Sequence, residues 1–427
     1  MERQVGSLVV GIDVGGTNTD AALVFTPAPR LGKEGQQRLT ERLEGWAAAL
    51  AASGRQAEAD ELLVQVQRRR AQQQWQDASG EWRDASLRGV ILGWVKRSTT
   101  EDVTAGVAEA VRAVVGDVWA ASEIDAALVG TTHFVNAIVQ RSDSLSPVAV
   151  LRLCGPATDA LPPFVSLPPD LAAIVGGHAA LAQGGLEIDG EKEITPVDPA
   201  EVAAFVEACL AKDIHCLVVS GVFSPVSAAQ ELHVRDLIEA ELAARLGPEA
   251  AGGFAVTVSH EVAGLGLLER ESASILNACV QPLAQRTVAS LRASLRELEL
   301  SCPLYLTQND GTVAPTAVAE RLPIGTFSSG PTNSMRGAAF ITSRHDAVVI
   351  DVGGTTSDVG LLVGGFPRQA GLMAEIGGVQ TNYSIPDTVS VGLGGGSRVR
   401  PSSVGPDSVG HRLTTEALCF GATCPYS

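Results

Sequence analysis

Two stretches of the chain set a carboxylate, a glycine turn and a row of hydroxyls at the same spacing. Asp13-Val-Gly-Gly-Thr-Asn-Thr-Asp20 returns as Asp351-Val-Gly-Gly-Thr-Thr-Ser-Asp358, and apolar β-branched runs flank both copies. Gly15-Gly16 and Gly353-Gly354 accept positive φ and carry no Cβ, which suits a tight hairpin turn. The N–H groups of such a turn converge on an anion. Thr17, Thr19, Thr355 and Ser357 offer hydroxyls at the same rim, and Asn18 and Thr356 lie in the same turns. A carboxylate ending each incoming strand, Asp13 or Asp351, repels a bare phosphate but holds Mg2+ (or Mn2+) through its water shell. One such hairpin is an ordinary turn. Two in one register, 338 residues apart from Asp13 to Asp351, are too distant for a solenoid repeat and predict two related lobes gripping one polyphosphate from both sides.

The elements that must position these groups follow from periodicity. The first hairpin, about 8–25, needs a third strand, which Gly89-Val-Ile-Leu-Gly-Trp-Val95 supplies. Between them, residues 26–88 place Leu39, Leu43, Trp46, Ala47 and Leu50, then Leu62, Leu63 and Val66, at helical spacing. This predicts a helical insertion, either a lineage-specific arm or sequence foreign to the mature protein. Beyond it, Thr99 or Thr100 caps a helix whose apolar face is Val103, Val107, Val111 and Val114, ended by Gly116. Strand 124–129, a helix near Thr132 and strand 148–153 come next, and the Pro- and Gly-rich stretch 156–190 reads as long loops. From Asp198, helices (199–212, 227–246) alternate with strands (216–221, 255–258), which means parallel sheet with covering helices. A long helix over 265–299, strand 304–307 and helices near 314–321 and 331–341 lead to the second hairpin. The domains are read as 1–197, with the first phosphate loop and the 26–88 insertion, and 198–427, with the second.

Further candidates sit where strands give way to helices or turns. Gly130-Thr131-Thr132-His133 brings hydroxyls and an imidazole to a helix N-terminus, a place for anions or a substrate carbonyl. His133 is the titratable group of interest there, although a lone histidine more often packs or bonds to backbone. Asn309 and Asp310 follow a strand, where ligands gather in open α/β sheets, and Asn-Asp-Gly is equally a common Asx turn. Ser328-Ser-Gly-Pro331 presents either N–H donors or a plain helix start with proline in its first turn. Gly392-Leu-Gly-Gly-Gly-Ser397 is too glycine-rich for a regular strand and could also be a flexible connection.

The paired loops resemble the phosphate motifs of the actin, sugar kinase and chaperone ATPase superfamily. Within it the chain is similar to hydantoinase A and 5-oxoprolinase. The likeness rests on Gly11–Asp20, Ser98–Val103, Gly130–Ala137, Glu269–Ser272, Leu276-Asn277, Tyr305–Gly311, Ser329-Gly-Pro331, Asp351–Asp358 and Gly394–Ser397, in the family's order. It implies a two-lobed α/β fold of the actin-like (ribonuclease H-like) class, with mixed sheets, flanking helices and a second lobe that this chain leaves incomplete. It implies ATP with Mg2+, and hydrolysis of a cyclic amide after phosphoryl transfer to the amide oxygen. Asp13, Asp351, Asp20, Asp358 and His133 are then catalytic candidates, with Asp13 and Asp351 on the metal. Thr131, Thr132, Asn136, Asn309 and Asp310 face the substrate, and Gly394, Gly395, Gly396 and Ser397 form a third nucleotide-contacting loop. A hydantoinase B-like subunit or domain and a homo-oligomer are the implied partners. Two other readings keep the fold. One is a small-molecule kinase, which needs a carboxylate base beside a substrate hydroxyl. The other is a fragment whose half-walled cleft binds nucleotide weakly.

Composition sets outer bounds. With 427 residues and 45% hydrophobic content the chain can bury more than one core. Net charge is −17, and lysine is confined to Lys33, Lys96, Lys192 and Lys212, so no cationic track for nucleic acid or anionic membrane is expected. No apolar run reaches the roughly 18 residues of a spanning helix, and a cytosolic location is expected. The seven cysteines include no CxxC pair and read as reduced core residues, with Cys419 and Cys424 most simply in a loop.

Overall fold

The computed structural model describes residues 5–14, 18–28, 33–72, 89–98, 103–116, 118–354, 356–371, 373–409 and 416. In chain order it begins with β1 (Gly6–Val14), β2 (Asn18–Pro27), α1 (Lys33–Ala52), α2 (Gln56–Gln72), β3 (Val90–Ser98), α3 (Val103–Val115), β4 (Ala126–Thr131), α4 (His133–Val139) and β5 (Val148–Leu153). Next come α5 (Pro169–Val175), β6 (Gly176–Ala182), α6 (Pro199–Ala211), β7 (Cys216–Gly221), α7 (Ala229–Leu246), α8 (Pro248–Ala251), β8 (Ala255–Val258) and α9 (Leu267–Glu297). The rest is β9 (Leu304–Thr307), β10 (Val313–Pro315), α10 (Thr316–Arg321), α11 (Ser329–Thr342), β11 (Ala347–Val352), β12 (Ser357–Val363), β13 (Phe366–Pro367), β14 (Ala374–Ile376), β15 (Val379–Thr381), β16 (Thr388–Val391), β17 (Ser397–Arg400) and β18 (Ser403–Ser408).

Both repeated octapeptides form hairpins in one register. Asp13 faces Asp20 and Val14 faces Thr19, and likewise Asp351 faces Asp358 and Val352 faces Ser357. The first hairpin seeds a six-stranded sheet of order β10-β9-β4-β1-β2-β3, in which β2 runs antiparallel to both neighbours and β1, β4 and β9 are parallel. Along β1 the side chains alternate. Leu8, Val10, Ile12 and Val14 are buried on one face, across which α3 lies with Val107, Val111 and Val114 buried. Asp13 points to the other face.

The insertion belongs to this core. Leu39, Leu43, Trp46, Ala47 and Leu50 of α1 and Leu62 and Val66 of α2 are buried in the same cluster as β1 to β3, while Leu63 is exposed. Trp46 meets Phe25 edge-on at 5.2 Å between ring centroids. The helical reading of the 26–88 insertion holds for α1 and α2, whose apolar stripes fill space over the sheet. Thr99 and Thr100 lie outside the described residues.

The second sheet, β6-β5-β7-β8, is parallel throughout. It corrects the expectation of loops over 156–190, which contain α5 and β6. Gly-Gly-His-Ala-Ala-Leu-Ala has little β-branched content, and β6 owes its form to the ladder offered by β5. This sheet runs across residue 198, with β5 hydrogen-bonded to β7. The long α9 is buried almost continuously from Arg270 to Ala284 and lies against β5, β7 and β8 on one side and α3 on another. A buried two-pronged ion pair fixes its start: Arg152 of β5 donates to both carboxylate oxygens of Glu271 at 2.8 and 2.6 Å. Cys154, Cys209, Cys216 and Cys279 are free and buried, and burial pushes the Cys209 thiol up to about 12. Cys419 and Cys424 lie outside the described residues. No described helix is long and apolar enough to cross a membrane.

Leu43→Ala tests whether the insertion carries load. A core position should lose about 2–5 kcal/mol in urea unfolding. A change within about 0.5 kcal/mol would return α1 to the status of an appended arm.

Candidate functional site

The two hairpins meet on one helix. At α11, Thr332, Asn333 and Ser334 are consecutive, and at about 100° per residue three such side chains sweep more than half the helix circumference. Thr332 Oγ1 donates to the Asn309 carbonyl at 2.9 Å. Asn333 Nδ2 donates to Asp13 Oδ1 at 3.2 Å, and Ser334 Oγ donates to Asp351 Oδ2 at 2.5 Å. One turn of helix thus holds the end of β9, the end of β1 and the end of β11. Close packing of α11 on the second hairpin needs Gly360, where an added Cβ would lie 2.4 Å from Met335 Sδ. The polar triplet was not singled out from sequence. The signal available was a Thr-Asn-Ser run on a helix whose next turns bury Met335 and Ala339.

Asp13 is held in a confined space. Its pKa is pushed up from 3.8 to about 6, first by burial, which the Asn333 hydrogen bond opposes, and then by the charges of Asp20 and Asp351. Gly130, opposite Asp13 on β4, is required by contact, since a Cβ there would meet Asn333 Nδ2 at 2.2 Å and Asp13 Oδ1 at 2.6 Å. Lys96 pairs with Asp20 at 3.2 Å across β2 and β3, at an exposed site. Asp358 accepts from Ser390 Oγ on β16.

The remaining candidates divide between this place and local caps. Thr131 ends β4 and accepts from the His133 N–H through Oγ1 at 3.1 Å, and its carbonyl accepts from Ser329 Oγ at 3.2 Å. Thr132 Oγ1 accepts from Asn136 Nδ2 at 3.1 Å, so Thr131, Thr132 and Asn136 shape the start of α4 beside the start of α11. His133 is half-buried there, and burial lowers its pKa. Asn309 is buried and ties to Ser384 and Gly325. Asp310 is exposed and accepts from the N–H and hydroxyl of Thr312 at 2.8 and 2.7 Å, the Asx-turn alternative. Ser328 takes a left-handed φ of 60° ahead of α11 and Pro331 falls in the first turn.

Gly15, Gly16, Thr17 and Thr355 lie outside the described residues. Thr19 is buried, and Asn18 starts β2. Gly353 N–H donates to the Thr356 carbonyl at 2.9 Å, closing the second turn. Ser357 Oγ donates to the Leu393 carbonyl at 2.6 Å. The glycine loop 394–397 zips onto that turn, Gly395 and Gly396 donating to the carbonyls of Gly353 and Gly354 at 2.9 and 2.7 Å, and Ser397 Oγ accepting from Gly394 at 2.8 Å.

No group of three or more His, Cys, Asp and Glu among the described residues could hold a metal. Mg2+ needs no such cage, because it binds through one or two carboxylates, waters and phosphates. Asp13, a carboxylate held off its usual range by burial, with Asp351 bound to the next position of the same helix, fits that donor set.

The chain belongs to the hydantoinase/oxoprolinase family. Residues 84–242 match the family's N-terminal region and residues 270–423 match the hydantoinase/oxoprolinase domain. It is 28% identical to the acetophenone carboxylase gamma subunit of Aromatoleum aromaticum, over 54% of this chain and 32% of that one. It is 23% identical to the caprolactamase subunit alpha of Pseudomonas jessenii, over 81% of this chain and 51% of that one. The fold matches nucleotide-free acetone carboxylase and the ATP-dependent caprolactamase of P. jessenii, each at a TM-score of 0.60. Identities are 18% and 19%, covering 96% and 98% of this chain and 52% and 53% of theirs. The chain thus spans about half, or less, of the length of these relatives.

The Asp13 titration gives a signed expectation. The folded protein keeps the proton up to about pH 6, the unfolded chain only to 3.8. The stability contributed is fully present below 3.8 and lost as pH rises through 6. Metal-free protein should lose on the order of 2–3 kcal/mol from this group over that window. Asp13→Asn should flatten the urea-midpoint profile between about pH 4 and pH 7 and exceed the parent at pH 7. A variant profile as steep as the parent's would refute the assignment.

Proposed function

We propose that this chain is the nucleotide-binding part of an ATP-dependent enzyme that activates a carbonyl oxygen by phosphoryl transfer, the carbonyl being that of a hydantoin, 5-oxoproline or larger lactam. The observation that carries this reading is the suspension of Asp13 and Asp351, equivalent residues of a repeated hairpin, from adjacent positions of α11. A strand order with the hairpin first, a third antiparallel strand outside it and parallel strands beyond supports the actin-like (ribonuclease H-like) class. The ATP-dependent caprolactamase among the structural relatives supports the cofactor and the cyclic amide. A division at residues 197 and 198 is retained as one between sequence regions, since one sheet spans it.

In this reading Asp13 and Asp351 hold Mg2+, which neutralises phosphate charge when bound. The two glycine turns are proposed as the phosphate contacts, with Thr17, Thr19, Thr355 and Ser357 alongside, and 394–397 braces the second turn. Thr131, Thr132 and Asn136 with Asn309 orient the substrate, and His133, kept neutral by burial, offers a ring nitrogen to the carbonyl end. An amide carbon is a poor electrophile. Transfer of the terminal phosphoryl group to its oxygen, with loss of ADP, lets one water add at carbon and the C–N bond open onto a protonated nitrogen, which leaves an acyl phosphate that a second water hydrolyses to the carboxylic acid and phosphate. A hydantoinase B-like partner is proposed by extension from the subunit names of the relatives, in a cytosolic assembly. A second reading has a specific support: the similarity to an acetophenone carboxylase subunit favours a ketone oxygen as the phosphoryl acceptor.

Incubation with Mg-ATP and, in turn, 5-oxoproline, hydantoin, caprolactam and acetophenone should give substrate-dependent ADP, with ring-opened acid for the amides. Asp13→Ala and Asp351→Ala should each weaken Mg-ATP binding by at least about tenfold, or 1.4 kcal/mol, in calorimetry. Unchanged binding in both would remove the metal assignment, and ADP release with a phosphorylated product and an intact ring would mean a kinase.

A further inference from the structure

The row of residues that crosses the first sheet at Asp13 holds a third polar side chain, Thr307. Asp13 on β1 stands opposite Gly130 on β4, and the pairing of Val129 with Leu306 brings Thr307, the last residue of β9, level with Gly130. A Cβ placed on Gly130 would lie 3.1 Å from Thr307 Oγ1 and 2.6 Å from Asp13 Oδ1. The hydroxyl and the carboxylate therefore flank one notch on the same face of the sheet, with the glycine between them. Asn333 Nδ2 enters that notch from α11 and donates to Asp13.

Thr307 Oγ1 is buried with no hydrogen-bond partner among the described residues, although the residue as a whole is only partly buried. A hydroxyl in that state costs free energy that valine, of the same shape and an equally good strand former, would avoid. The other such hydroxyl among the described residues, Ser220 Oγ, is sealed within β7 of the second sheet. Thr307 differs in standing beside a carboxylate. Mg2+ bound through one or two carboxylates keeps several of its waters, and a hydroxyl at the rim of the carboxylate is the group that can orient such a water. We propose that Thr307 is a positioning residue of the Asp13 site, its hydroxyl bonding a water of the hydrated Mg2+ held there. The inference rests on the nucleotide reading proposed above for Asp13.

Mg-ATP calorimetry on the 427-residue chain and its variants tests this. Thr307→Val should keep or raise the urea midpoint measured in EDTA, because it removes an unpaired hydroxyl, yet weaken Mg-ATP binding about three- to tenfold. Thr307→Ser should restore affinity to within about twofold of the parent. In an Asp13→Asn background the Thr307→Val change should cost nothing further, since the two residues act on one bound ion and its water. Parental affinity in Thr307→Val with weakened binding in Asp13→Asn would overturn this inference alone. An equal loss in both Asp13 backgrounds, or a loss that Thr307→Ser does not restore, would overturn it in favour of a packing effect. Unchanged affinity in Asp13→Asn, or no Mg-ATP binding by the parent, would overturn it together with the nucleotide reading.

Discussion

Two hydrogen bonds from neighbouring residues of one helix organise the molecule: Asn333 to Asp13 and Ser334 to Asp351. The helix backbone fixes those donors about 1.5 Å apart along its axis, so the two carboxylates cannot drift independently while both bonds persist. Holding Asp13 there costs free energy, seen in its raised pKa, which burial causes first and the charges of Asp20 and then Asp351 add to. α11 therefore sets where the ends of β1 and β11 lie relative to each other.

The strut works only if what it braces is stiff. Arg270 donates to Ser259 Oγ at 2.8 Å and to the Gly221 carbonyl at 2.5 Å, while Glu231 accepts from Ser259, from the Gly221 N–H and from the N–H and ring of His260. Together with Arg152 and Glu271 they fasten the start of α9 to the carboxyl ends of β7 and β5. Buried charges so arranged contribute little net stability, yet losing one partner is expensive because the other stays desolvated. That asymmetry favours a single docking of α9, and α9 in turn sets α3 and the first sheet against the second.

The repeated lobes are unequal in completion. The first hairpin is sealed by α3 above and β4 beside it. The second is backed by α11 on one face and bare on the other, so its turn is braced mainly by the 394–397 loop and the Ser334 contact.

The sequence by itself determined what is local and periodic. The octapeptide repeat implied twin hairpins and their shared register. Strands 148–153, 216–221, 255–258 and 304–307 fell where β-branched runs lay between turn signals, and α1 and α2 followed from helical spacing. Family membership rested on short motifs whose order survives low overall identity. Tertiary structure decided what depends on partners distant in the chain. The strand β6 exists because β5 offers it a ladder, and α1 and α2 are core because the sheet beneath them needed cover. Gly130 is glycine because Asp13 and Asn333 occupy the space its Cβ would take. Asp310 turned to Thr312 while Asn309 turned inward, a choice that the tripeptide Asn-Asp-Gly leaves open. The pairing of Asn333 and Ser334 with two carboxylates 320 and 17 residues away has no period and no composition signal, since such contacts are set by how whole sheets pack against one helix.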